Sequence, residues 1–307
     1  MSLNVITARE TPPPGQATRP SGLGFVGKLR WGAKHPPLDF DLSFAGKTVL
    51  VTGCNTGLGF EAAVKYSALG ADKLILGVRT AAKGEATKSR ILSRTGRGPE
   101  SITYLVVDLA TFTSVRAFCA SLAKEVEHSG LDIALLSAGL APPRYEMSSE
   151  GWDMALQVNV LSTALMARLL VPLLKPTSHL TFVNSNGNDL VERKWFDKYE
   201  GSMLRMANDP DGWDAMRSYC TVKLLGLVVM RAIADVAGPD VVVNAVCPGM
   251  CKTDLGRDQP WLSRQVMGLA GKFVMRSAEE GGRSLVSATA LGVESRGKLW
   301  HNDVLYP

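Results

Sequence analysis

The chain has no CxxC pair among its five cysteines (Cys54, Cys119, Cys220, Cys247 and Cys251), and only four histidines to join them. Zinc sites need clustered Cys and His ligands, so no metal centre is expected; reduced thiols in a cytoplasmic compartment are the simpler reading. Runs of Lys and Arg are also missing, and the net charge is only +5. So mild an excess argues against nucleic acid as a partner and suits a small anionic ligand. No apolar run reaches the ~20 residues that a bilayer span requires, so no transmembrane segment is expected. The opening stretch, MSLNVITARETPPPGQATRPSG, lacks a basic region followed by an apolar one, so no secretory signal is expected. Its Pro, Gly and Thr content predicts a partly irregular arm over 1–44, with GFVGKLRWG (24–32) packing against the body of the protein.

What the chain does have is alternation. KTVLVT (47–52), KLILGV (73–78), ITYLVVDL (102–109), LDIALLSAG (131–139), HLTFVNS (179–185) and DVVVNAVCPG (240–249) are short apolar runs rich in β-branched residues. Between them lie helix-period segments, including long ones over roughly 149–174 and 214–237. Buried strands alternating with helices predict an α/β fold: one doubly wound, Rossmann-type domain over 45–307, its parallel sheet covered on both faces. There is no repeat and no composition break that would mark a second domain. The final residues, WHNDVLYP, are expected to lie just past the last core element.

The turn after the first strand reads VTGCNTGLGF. Gly53, Gly57 and Gly59 permit a tight turn and let backbone N–H groups approach a pyrophosphate at a helix N-terminus. The spacing is G-x-x-x-G-x-G, without a Walker lysine. At the end of the second strand, where an acid would hold the ribose hydroxyls of NAD, there is none. Arg79 and Lys83 stand there instead, and a guanidinium can hold a 2′-phosphate through two hydrogen bonds, so NADP(H) is the expected cofactor. Further on, SYCTVKLLG (218–226) sets Tyr219 one helical turn before Lys223, which puts both on one face.

As a set, these stretches resemble the short-chain dehydrogenase/reductase family. Thr52, Gly53, Gly57, Leu58 and Gly59 match its cofactor motif, and VVDL (106–109) matches its adenine-side acid at Asp108. LSAG (136–139) stands where N-N-A-G is usual, so Ser137 and Gly139 border the cofactor and the usual amide is lost. VNVLST (158–163) carries the helix asparagine, Asn159, and FVNSNG places Ser185 at the catalytic serine. YCTVK is the family's Y-x-x-x-K. NAVCPGMCKTDL (244–255) matches the family's segment after the sixth strand, and the resemblance implies that Pro248, Gly249 and Thr253 lie against the nicotinamide. GVRTAAKGE and VNVLSTALMARLLVPLLK are similar to the retinol-dehydrogenase-like branch, and CPGMCKTDL to fungal members acting in specialised metabolism.

The resemblance implies a catalytic set of Asn159, Ser185, Tyr219 and Lys223, the first and last two also bordering the cofactor. A free phenol titrates near pKa ~10, and a lysine ammonium close by is expected to lower it, making Tyr219 the acid/base. Ser185 would hold the substrate oxygen, and Asn159 would anchor a water chain to Lys223. Asn184 and Asn186, flanking the serine, are expected to polarise the site mouth. Between Ser185 and Tyr219, Trp195, Phe196, Tyr199, Met203, Met206 and Trp213 form either an apolar substrate wall or a surface helix with a buried aromatic face. A second segment, 256–275, is expected to serve as a lid with Trp261, Leu262, Met267 and Phe273. The expected substrate is a lipophilic carbonyl or alcohol, in polyketide-like secondary metabolism or in general lipid and xenobiotic metabolism. An NADP-binding regulator without chemistry is the other class that stands. A homodimer or homotetramer packed through the two long helices is implied by resemblance alone.

Overall fold

Alternation of side chains along a strand sends neighbours to opposite faces, and here both faces are apolar. In β1 (Thr48–Thr52), Val49 and Val51 pack to one side and Leu50 to the other. The same split recurs in β2 (Lys73–Val78), with Leu74 and Leu76 opposite Ile75, and in β4 (Leu131–Leu136), with Ile133 and Leu135 opposite Ala134 and Leu136. With β3 (Ile102–Val106), β5 (Leu174–Val183), β6 (Val242–Cys247), β7 (Leu299–His301) and β8 (Val304–Tyr306), they form one sheet of order β3-β2-β1-β4-β5-β6-β7-β8. Every pairing is parallel except β7 with β8. This computed structural model describes residues 23, 25–256, 271 and 274–307. The residues expected to form a lid, Trp261, Leu262, Met267 and Phe273, lie outside them.

Helices cover both faces. On one side α2 (Gly57–Ala68), α3 (Ala81–Thr95) and α7 (Ala278–Ala288) close over a core that includes Phe60, Tyr66, Ile91 and Leu285. On the other, α4 (Phe112–Glu125), α5 (Met154–Leu173) and α6 (Ala215–Ala237) bury Phe118, Met166 and Met230. Local chemistry sets the ends. Thr80 caps α3 by accepting from Lys83 N, and Gly96 stops it in the left-handed region at φ 67°. Asp214 caps α6 by accepting from Arg217 N, and Ser277 with Glu280 forms a capping box on α7.

The arm holds a helix, α1 (Phe25–Lys34), and its Leu42 and Phe44 lie in the core, Phe44 edge-on to Tyr66 at 4.9 Å. Two findings amend the sequence reading. By length and composition α5 is apolar enough to cross a membrane, against the expectation that no run is. More than half of it is buried between sheet and neighbouring helices, so it is apolar as a core helix. The segment WHNDVLYP does not lie past the core but adds β7 and β8 to the sheet. Trp300 is fully buried there, and its indole N–H donates to Ser287 Oγ at 3.0 Å. Trp300→Ala is expected to cost about 3–5 kcal/mol by transfer and cavity terms, read as a lowered denaturant midpoint.

Candidate active site

Strand order 3-2-1-4-5-6 places a crevice between the carboxyl ends of β1 and β4, and the proposed residues follow the strands there. Thr52 Oγ1 accepts from Ala138 N at 3.3 Å, tying the two strand ends together. The turn beyond needs its glycines. Gly53 and Gly57 have φ of 65° and 61°. A Cβ on Gly53 would lie 2.6 Å from Ala138 Cα, and one on Gly59 would lie 2.5 Å from Gly53 O. Ser137 packs on the same turn, its Oγ 3.1 Å from where a Gly59 Cβ would be. Thr56, at the N-cap of α2, makes no side-chain cap, so the first N–H groups of α2 are available to an anion.

The other cofactor candidates divide. Thr253 reaches the turn, its Cβ 3.3 Å from the position of a Gly57 Cβ. Gly139 faces Asn159, and Pro248–Gly249 follow β6 directly. Arg79 and Lys83 are exposed at the end of β2, free to reach a ligand phosphate, and Asp108 Oδ1 accepts from Ala110 N at 3.0 Å beyond β3. The side chain of Leu58 turns away, packing on Gly281 of α7. Arg90 was not anticipated: its Nη1 donates to Asn55 O at 3.0 Å while its guanidinium sits 4.0 Å over Phe60, bracing the turn. Glycines with no room for a side chain, an uncapped helix start and two exposed cations fit a dinucleotide.

At the ends of β5 and β6 the structure brings Ser185, Tyr219 and Lys223 together. The Ser185 hydroxyl accepts from Gly187 N at 3.1 Å, and it and the Tyr219 ring both border Gly187, 3.5 and 3.1 Å from where a Cβ there would lie. Lys223 Nζ stands 5.8 Å from the centre of the Tyr219 ring and donates to Val183 O at 3.3 Å. Asn159 lies in a π-helical stretch of α5, Gln157–Ser162. Its side-chain amide is committed at both ends to Leu140, Nδ2 donating to the carbonyl at 2.8 Å and Oδ1 accepting from the N–H at 2.9 Å. Asn159 and Lys223 nevertheless line one cavity of about 20 Å³, with Thr163, Asn184 and Phe182. That is room for one water.

Asn184 corrects the sequence reading. It is buried below the site, not at its mouth: Oδ1 accepts from Ser185 N at 2.7 Å, and Nδ2 donates to Lys223 O at 3.1 Å. One amide thus links the serine's backbone to the helix that carries the lysine. Between Ser185 and α6 the chain forms two 3-10 stretches, Asn186–Leu190 and Arg193–Tyr199, and one short helix, Met203–Ala207, rather than a single surface helix. Phe196 and Met206 are buried in it, and Tyr199 donates its hydroxyl to Asp209 at 2.6 Å. Asn208 fastens it to the start of α5, accepting from Asp153 N at 2.6 Å.

Burial sets the electrostatics. It pushes the Tyr219 phenol up from its ordinary value, only partly offset by the Ser185 hydrogen bond. The same desolvation pulls the Lys223 ammonium down to about 8. The expectation of a lowered phenol is therefore reversed here, because both groups leave water together. Beneath them is a pair that sequence spacing gave no sign of, Cys247 and His301. Burial alone would raise the Cys247 thiol, but His301 and the N–H groups of Gly249 and Asn186 outweigh it and leave it at about 7. His301 moves up, since Cys247 overrides the opposite effect of burial.

The model of the short chain dehydrogenase family matches residues 47–202. A short-chain dehydrogenase/reductase of Aspergillus flavipes is 42% identical over 283 residues, covering 89% of this chain and 82% of the relative. One from Phaeosphaeria nodorum is 39% identical over 288 residues, covering 91% and 84%. Among solved structures, a short chain dehydrogenase from Burkholderia cenocepacia in complex with NADP superposes with a TM-score of 0.63 at 21% identity, over 84% of this chain and 96% of that one.

Two measurements test the buried site. Asn184→Ala leaves the Ser185 N–H without its partner and removes the second bond to the Lys223 carbonyl, which keeps its place in the helix; the expected cost is about 1–3 kcal/mol, read by chemical denaturation. Lys223 is held below its unfolded value, so between pH about 8 and the ordinary lysine range the unfolded chain binds the extra proton. Stability is therefore expected to rise across that window, and Lys223→Met to remove the rise.

Proposed function

The chain belongs to the short-chain dehydrogenase/reductase family, and on that premise we propose that it is an NADP(H)-dependent oxidoreductase interconverting a carbonyl and an alcohol on a lipophilic small molecule. The observation that carries this reading is the meeting of Ser185, Tyr219 and Lys223, with Lys223 lining the same cavity as Ala138, on which the Gly53 turn packs. The cofactor, when bound, supplies the hydride. Gly53, Gly57, Gly59 and the start of α2 would hold its pyrophosphate, and Arg79 with Lys83 its 2′-phosphate.

The protein's own part is the proton. A phenol raised by burial stays protonated at neutral pH, which suits Tyr219 Oη to donate to the alkoxide oxygen as it develops. Ser185 Oγ holds that oxygen in line. The phenolate left behind needs a positive charge nearby, and the Lys223 ammonium supplies it. The cavity shared by Asn159 and Lys223 supports a one-water route for reprotonation, with the Asn159 side chain fixing the wall rather than carrying the proton. The exposed Leu190 and Leu204, on the segment that leads from Ser185 to α6, support an apolar substrate.

The fungal relatives support a role in secondary-metabolite biosynthesis, and a cytoplasmic location accords with a buried α5. Exposed Val228 and Val236 on α6 support a homodimer or homotetramer packed through the long helices. Tyr219→Phe is expected to lower kcat by about 10²-fold or more with the folded structure retained; turnover close to wild type removes the acid/base role. Arg79→Ala is expected to raise the KM for NADPH about ten-fold and leave that for NADH within about two-fold. An equal change in both would remove the 2′-phosphate role.

A further inference from the structure

The tip of a β-hairpin ordinarily sits in solvent, yet the Asn302–Asp303 tip between β7 and β8 is buried, Asp303 completely. Both residues hold left-handed backbones, φ 51° and 55°. Chain from the arm closes over this tip: Leu38 N donates to Asp303 Oδ2 at 2.9 Å. Beside it the buried Arg276 spreads its guanidinium over four acceptors. Nε donates to Gly32 O at 2.8 Å and Nη2 to His35 O at 3.0 Å, both in the arm. Nη2 also donates to Asn302 Oδ1 at 2.5 Å, and Nη1 to Pro248 O at 3.0 Å.

The Arg276 backbone closes on the same region, its N donating to Met250 O at 2.9 Å and its O accepting from Lys252 N at 2.8 Å. A Cβ on Gly249 would stand 2.9 Å from Arg276 Nη1, so the turn has no room to shift toward the guanidinium. A buried guanidinium keeps its place only while its donors are satisfied, and half of these acceptors belong to the arm. Without them Arg276 gains by turning to water, and Pro248 loses its anchor. Each arm contact is made by a backbone group, which is why no motif in residues 32–38 announces it.

We infer that Gly32–Leu38 is a strap that, through Arg276, positions the Pro248–Gly249 turn and with it the nicotinamide half of the cofactor site. Arg276 is thus a positioning residue, and the inference rests on the NADP(H) reading above. The test compares full-length protein, a variant lacking residues 1–38, and Arg276→Lys, which keeps the charge but loses the fork. Each is titrated with NADPH and with adenosine 2′,5′-bisphosphate, which fills only the adenosine half. In both variants the Kd for NADPH is expected to rise about ten-fold while that for the bisphosphate stays within about two-fold. If the truncated chain does not fold, Arg276→Lys decides alone. Unchanged NADPH affinity in a folded variant, or an equal loss for both ligands, overturns the strap. A wild type that prefers NADH is titrated with NADH and AMP in the same way. A wild type that binds neither dinucleotide overturns the functional reading instead.

Discussion

Where β1 and β4 lie side by side, the chain leaves the sheet toward opposite faces, and the gap between Gly53 and Ala138 becomes the floor of a crevice. The fit there is close: no side chain larger than hydrogen is accommodated at Gly53 or Gly59. Because the strands are parallel, each of the first seven delivers its following residues to this same edge. Gly53, Arg79, Asp108, Ser137, Ser185, Pro248 and Asn302 all follow a strand. Register between β5 and β6, with Val183 opposite Val246, then sets Ser185 beside the Pro248 turn.

Within that edge, desolvation and charge oppose each other. Burial disfavours both the phenolate of Tyr219 and the ammonium of Lys223, so in the proposed mechanism each charged form relies on the other as a proton moves. Such a pair must be held in place by neutral groups. Asn184 does this from below, and Ser185 and the Val183 carbonyl from the sides. The buried Cys247–His301 pair obeys the same rule: against desolvation the thiol stays low because of the His301 charge beside it, helped by the N–H groups that reach it.

The sequence disclosed what is local. The spacing of Gly53, Gly57 and Gly59 reports a backbone requirement of a single turn, and Tyr219 to Lys223 reports one turn of helix; both needed no tertiary knowledge. Asn184 was visible as an oddity beside Ser185, but its partner, the Lys223 carbonyl, lies on another element, so its direction could not be read. The strands β7 and β8 are three residues each, too short for a period to show. The direction of the Tyr219 shift depended on burial, which spacing does not encode. Arg276 was illegible for a further reason: its partners are mostly carbonyls from distant places, and carbonyls have no sequence.

The central claim is that this site moves a hydride and a proton onto a lipophilic carbonyl. Purified protein given NADPH deuterated at nicotinamide C4 and a panel of aromatic, aliphatic and polyketide-like ketones tests it most directly. The account predicts NADPH oxidation that depends on at least one of these carbonyls, with deuterium on the carbinol carbon of the product. Protein that binds NADPH tightly, yet passes no deuterium to any carbonyl of the panel, would contradict it.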